Sequence, residues 1–172
     1  VVLLAPFFVI PSELEQDDPI VDLCDSIGVD WFRGSEPDVL SRYMECAEHF
    51  DADPVIRVTS DCPLIDAGVL NQLVRLYRQN VGSFVANNLE PSFPVGLDSE
   101  VFSLAMLKRA TQQTGDDYDA EHVTQWMRRQ PVAFNLRCSV NLHRYRITLD
   151  TRDDLTVLRA IYRAYGSLPY VS

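Results

Sequence analysis

Two aspartates stand where metal-assisted phosphoryl chemistry would need them. Asp61 directly follows the run VIRVTS, and Asp150 directly follows YRITL. Both runs are rich in β-branched and aromatic residues and read as strands. In a mostly parallel sheet the carboxyl ends of such strands share one edge, and ligands bind in the crevice outside it. Carboxylates far apart in sequence can then converge. A Mg²⁺ or Mn²⁺ ion needs little more: one or two carboxylates, several waters and substrate oxygens. Without the ion, two close carboxylates repel, so at least one is expected to titrate above its ordinary range. Asp98, on a turn in VGLDSEVF, is a third candidate. The competing reading is that aspartate after a strand serves as a turn or cap residue. Thr151 is a better cap than Asp150. Asp66 is a better cap than Asp61, which has Pro63 two residues on.

Other side chains have open roles. Arg57 lies inside a strand just before TSD and could reach a phosphate or pair with a buried acid. His122 follows Glu121 at a helix start. It could act as a general base or serve packing and hydrogen bonding, since a metal would lessen the need for a base. Arg144 and Arg146 could meet an anionic sugar or line a solvated strand face. Cys24, Cys46, Cys62 and Cys138 form no CxxC pair and have no histidine at zinc spacing, so they read as reduced thiols of a cytoplasmic protein.

The elements that must position these groups alternate along the chain. Asp18-Pro19 opens a helix and Gly28 closes it. VDWF at 29–32 reads as a strand. Ser35 and Asp38 are spaced as a capping box before a helix carrying Leu40, Tyr43 and Ala47. PVIRVTS, a helix capped by Asp66, SFVAN, a proline-bearing loop, a short strand and the helix SLAMLKRA follow. Residues 119–129 read as one helix, AFNLRCSV and YRITL as strands. Thr151 and Asp154 form a capping-box pattern before a last helix that runs to about Tyr165. Strands alternating with helices predict an α/β domain over residues 1–172, with a mostly parallel sheet covered on both faces.

Composition bounds the function. The chain of 172 residues carries a net charge of −10, which argues against nucleic acid as a partner. Acidity does not exclude phosphate substrates, because carboxylates can hold a cation that meets the phosphates. No apolar run approaches the ~20 residues of a membrane span, and VVLLAPFFVI reads as a core strand, not a signal peptide.

RVTSDCPLID, at 57–66, resembles the R-[IV]-T-x-D-x-P-L-[IV]-D signature of the cytidylyltransferases of spore-coat polysaccharide synthesis, relatives of the acylneuraminate and 3-deoxy-manno-octulosonate cytidylyltransferases. Further matches follow in order: FRGSEPDVLSRY at 32–43, FPVGLDSEVFS at 93–103, AEHVTQWM at 120–127 and ITLDTRDDLTVLRAIY at 147–162. The resemblance implies a Rossmann-like nucleotidyltransferase fold, a three-layer sandwich of the GT-A-like kind. It implies transfer of CMP from CTP to a sugar, with pyrophosphate leaving. It places Asp61 and Asp150 as metal ligands and Asp98 and Glu100 on the sugar side. It also implies a homodimer, for which the stretch 91–145, with Phe93, Tyr118, Trp126 and Phe134, is the expected source of contacts.

The family opens with a strand and an A-R-x-x-S-x-R-x-P-x-K loop that cradles the triphosphate, and nothing here matches it. VVLLAP reads as a remnant of the segment after that lysine, and FFVIPSE as a strand that normally comes later. The sequence then joins two separated pieces of an incomplete domain. Two other functions stay open at this point. A metal-dependent glycosyltransferase would share the fold, but Asp51-Ala52-Asp53 precedes its strand instead of following it. A degenerate, non-catalytic partner subunit would fit the missing loop.

Overall fold

The computed structural model describes residues 6–113 and 115–166, so the reading of VVLLAP as a remnant falls almost wholly outside the described residues. Strand β1 (Phe8–Val9) pairs in parallel with β2 (Asp30–Trp31). Between them a 3-10 turn (Glu15–Asp17) leads into helix α1 (Asp18–Ile27). Pro19 occupies its first turn, where a missing N–H costs nothing. Gly28 ends the helix at φ 69°, a left-handed conformation that glycine enters without steric cost. Helix α2 (Val39–His49) starts differently from the expected capping box. Asp38, not Ser35, is its N-cap, accepting from the Ser41 N–H at 2.9 Å, while the Ser35 hydroxyl accepts from the Asp38 N–H at 3.2 Å.

The central sheet contains β3 (Val55–Arg57), β4 (Phe84–Ala86), β5 (Glu100–Phe102) and β6 (Ala133–Asn135). Its order is β3-β5-β4-β6. Strands β3, β4 and β6 run in one direction, and β5 runs antiparallel to both of its neighbours. The alternation of a strand's side chains splits the core in two. Phe84, Ala86 and Phe102 pack on one face with Leu40 and Ala47 of α2 and with Met106, Leu107 and Met127. Val85 and Val101 pack on the other with Val69, Leu73, Val74 and Tyr77 of α3 (Ala67–Gln79). Helices on both faces give the expected three layers. Helix α3 begins at Asp66, whose carboxylate accepts from the Val69 N–H at 2.9 Å.

After α4 (Leu104–Gln113) the predicted helix over 119–129 is two short ones, α5 (Asp117–His122) and α6 (Gln125–Arg128). Val123 breaks the run at φ 61°, ψ −56°. The Thr124 N–H donates to the His122 carbonyl at 2.6 Å, which makes a three-residue γ-turn of the strained hand. Apolar periodicity could not reveal it, because Val123 is 1% exposed and belongs to the core like any helical valine.

YRITL is the other correction. It is no sheet strand but an extended segment joined by a bridge of Arg146 to Val95. The Ile147 N–H donates to the Val95 carbonyl and the Leu149 N–H to the Asp61 carbonyl, both at 2.8 Å. Its partners are loops, so its β-branched pattern marks backbone bonding outside the main sheet. Of the aromatics expected at a dimer interface, Phe93 and Trp126 pack against the core, whereas Tyr118 and Phe134 are exposed.

Helix α7 (Arg152–Tyr165) carries the predicted capping box complete: Thr151 accepts from the Asp154 N–H, and Asp154 accepts from the Thr151 N–H. Arg146, then the Asp150 N–H, hold the Asp154 carboxyl well below its ordinary range. The stabilisation Asp154 supplies is therefore present above the unfolded-state pKa and is lost as pH falls through the folded-state value. Thr151→Ala should cost roughly 1 kcal/mol, read as a lower denaturation midpoint at constant m-value.

Candidate active site

The site grows from one cross-strand pair. Arg57 on β3 faces Glu100 on β5, and its Nη1 donates to Glu100 Oε2 at 3.0 Å. Glu100 Oε1 accepts from Thr124 Oγ1 at 3.0 Å and pairs with Arg128 Nη2 at 3.2 Å. The Glu100 side chain is 3% exposed. A buried carboxylate is tolerable only when its oxygens are satisfied, and here both are. Burial alone would lower the Arg57 pKa, but Glu100 outweighs it and the net direction is upward. The Arg57 guanidinium also lies 5.6 Å from the Tyr43 ring centroid. Burial foremost raises the Tyr43 phenol.

These groups wall a polar cavity of about 280 Å³, which Thr59, Asn88, Asp98, Tyr118, His122 and Gln125 also line. Val58 and Thr59 follow β3, Asn88 lies just past β4, and Ser99 precedes the antiparallel β5. The cavity therefore sits at the carboxyl edge of β3 and β4, where the strand-end rule directs ligands. The Val123 turn re-aims the chain so that His122, Thr124 and Arg128 all reach it. Such strain, of order 1–3 kcal/mol, is held by the packing of Val123. Tyr118 packs edge-on against His122 at 4.2 Å between ring centroids.

Arg57, Asp98, Glu100 and His122 all line this one cavity, and Arg57 takes one of the two roles open to it, a pair with a buried acid. Asp61 and Asp150 are not among the residues that line it. Backbone bonding of Leu149 to the Asp61 carbonyl brings their segments together. The loop between β3 and α3 is tied down from outside by the Tyr162 hydroxyl of α7, which donates to the Pro63 carbonyl at 2.7 Å. Cys62 Sγ donates to Asp61 Oδ1 at 3.6 Å. The Cys62 thiol is pushed up, chiefly by burial, with Asp61 and Asp98 both adding to the shift.

Asp150 differs from expectation. Its Oδ2 accepts from Arg146 and, at 2.7 Å, from Thr148 Oγ1. Arg146 and then Thr148 hold the carboxyl below its ordinary range, opposite in direction to the raised value expected of an unscreened carboxylate pair. Arg146, expected to meet a sugar or solvent, is the countercharge. Among the described residues no group of three or more His, Cys, Asp or Glu forms a metal cage. Mg²⁺ does not require one, since it keeps several waters and takes phosphate oxygens. Asp61 fits such an ion: its carboxylate accepts from the Cys62 thiol and, among the described residues, forms no ion pair. Asp150 could join it only by exchanging its pair with Arg146 for the ion.

Sequence reasoning missed Asn88, Thr124 and Arg128. Asn88 follows β4, where the strand-end rule places ligand-binding polar groups, but an uncharged amide carries no signal of its own. Thr124 lies in the EHVT motif itself. Arg128 carries no signal beyond its place one helical turn past that motif.

A largely parallel sheet with one antiparallel strand, helices on both faces and a polar cavity at the carboxyl edge make a Rossmann-like α/β domain. The family follows from comparison: the chain belongs to the cytidylyltransferase family, whose profile matches residues 8–161. It is similar to the spore coat polysaccharide biosynthesis protein SpsF of Bacillus subtilis (strain 168), with 30% identity over 94% of this chain and 68% of that protein. It is 34% identical to an uncharacterized protein of Methanocaldococcus jannaschii, over 71% of this chain and 49% of the relative. A solved cytidylyltransferase structure from Leptospira borgpetersenii superposes with a TM-score of 0.87 at 29% identity, covering 92% of this chain and 68% of the other. The chain thus spans from half to two thirds of the length of these relatives.

Proposed function

We propose that the protein transfers CMP from CTP to an acidic sugar and releases pyrophosphate, with a divalent cation held by Asp61 and Asp150. The observation that carries the acidic acceptor is the presence of Arg57 and Arg128 together in the cavity wall, each bonded to Glu100. Guanidinium groups suit carboxylate or phosphate recognition because their donors form a planar fork. Asp98 and Asn88 offer acceptors and donors to sugar hydroxyls, and Tyr118 offers a ring face at the rim. His122 lies in the same cavity, placed to take or relay the proton of the attacking hydroxyl. The cation would neutralise phosphate charge and orient the triphosphate for in-line attack.

The test is pyrophosphate release by the full-length protein with CTP, UTP, ATP or GTP and a panel of neutral and acidic sugars. The expected result is turnover with CTP and an acidic acceptor, abolished by EDTA and restored by Mg²⁺ or Mn²⁺. Turnover confined to neutral sugars would refute the acidic acceptor, and turnover unaffected by EDTA would refute the cation.

A further inference from the structure

Glu100 is the most enclosed charge in the cavity wall, and each of its oxygens is already bonded within the wall. Oε2 is taken by Arg57, and Oε1 by Thr124 and Arg128. The two arginines come from β3 and α6, and their side chains remain 19% and 22% exposed. Two guanidinium groups side by side repel, and a carboxylate between them offsets that repulsion while fixing both. Arg57 also lies against the Tyr43 ring, and Arg128 Nη2 donates to Asn88 Oδ1 as well as facing Glu100.

We infer that Glu100 is a positioning residue: it clamps Arg57 and Arg128 into a single fork for the anionic group of the acceptor and does not touch the acceptor itself. This rests on the reading of the cavity as the acceptor site. Charge and geometry predict opposite signs for one substitution. Glu100→Gln removes a negative charge beside the anion, so electrostatics alone would tighten acceptor binding. Loss of the clamp loosens it instead. Glu100→Asp keeps the charge but is a methylene too short to hold both arginines.

The experiment compares acceptor KM in the full-length wild type, Glu100→Gln and Glu100→Asp, with the KM for CTP as the internal reference. Both variants are expected to raise the acceptor KM about tenfold or more while the KM for CTP stays within about threefold. A lower or unchanged acceptor KM in Glu100→Gln, or wild-type behaviour in Glu100→Asp, would overturn the clamp. Should Glu100→Gln fail to fold, Arg128→Lys serves, since it keeps the charge and loses the fork; an unchanged acceptor KM there is equally fatal. Titration with inorganic phosphate, followed by chemical shifts of the arginine side chains, needs no turnover. It should weaken about tenfold in both Glu100 variants, and tighter binding in Glu100→Gln would sink the inference. If the wild type turns over no acidic sugar at all, the acceptor reading falls, and the phosphate titration decides the clamp by itself.

Discussion

Asp61→Asn in the full-length protein should leave the fold standing and reduce cation-dependent turnover about a thousandfold. A metal's stabilisation of developing phosphate charge is worth several kcal/mol, and each ~1.4 kcal/mol is a factor of ten in rate. The small effect on stability follows from the surroundings. The Asp61 carboxylate has a thiol as its hydrogen-bond partner and caps no helix, since Asp66 does that work at α3. A change within about 0.5 kcal/mol is expected. Asp150→Asn should also lose turnover, but it removes an exposed pair with Arg146, so no gain in stability from relieved repulsion follows. Steady-state rates beside thermal melts of both variants separate the cases. Full activity in Asp61→Asn would remove the metal site from the proposal, and full activity in Asp150→Asn alone would leave Asp61 as the sole ligand.

The second large effect concerns a residue with no side chain. Gly96 sits at φ 106°, and a Cβ there would lie 2.9 Å from the Ile147 carbonyl carbon and 3.0 Å from the Thr148 nitrogen. Those are backbone atoms and cannot swing aside. The close approach lets the Val95 carbonyl accept from the Ile147 N–H, and that bonding carries the chain on to Asp150. Gly96→Ala should cost about 1–3 kcal/mol from the unfavourable conformation alone, with crowding added to it. Turnover should fall in the fraction that stays folded, because the displaced segment carries Thr148 and Asp150. A melt and a rate identical to wild type would show that the loop accommodates the methyl and that the contact positions nothing.

The order and type of the elements were largely legible because each rests on local chemistry. Gly28 after α1, Asp66 before α3 and the Thr151–Asp154 box before α7 all act where their spacing placed them. Legibility failed where long-range partners decide the outcome. YRITL has the composition of a strand, but its hydrogen bonds go to loops. Val123 has the pattern of a helical core residue, but its buried side chain holds a turn. At the site, Asp98, Glu100, Arg57 and His122 were found from motifs, and they converge. The upward shift expected of at least one of Asp61 and Asp150 is not seen at Asp150, whose carboxyl Arg146, four residues earlier, and Thr148 hold down. No spacing rule shows which way an arginine in an extended segment turns.

The position of β5 has a kinetic consequence. Both of its partners precede it in the chain, and β3 and β4 are not neighbours until it lies between them. The register that sets Glu100 opposite Arg57 spans 43 residues, so the loop must close before the contact repays its entropy. During synthesis the earlier strands emerge with open edges, a state prone to wrong pairing. The same late insertion delivers Glu100 to Arg57. The middle of the sheet and the Arg57 arm of the fork are therefore completed in one event, Arg128 joining as α6 packs, and a molecule that stalls before it should have neither sheet order nor fork.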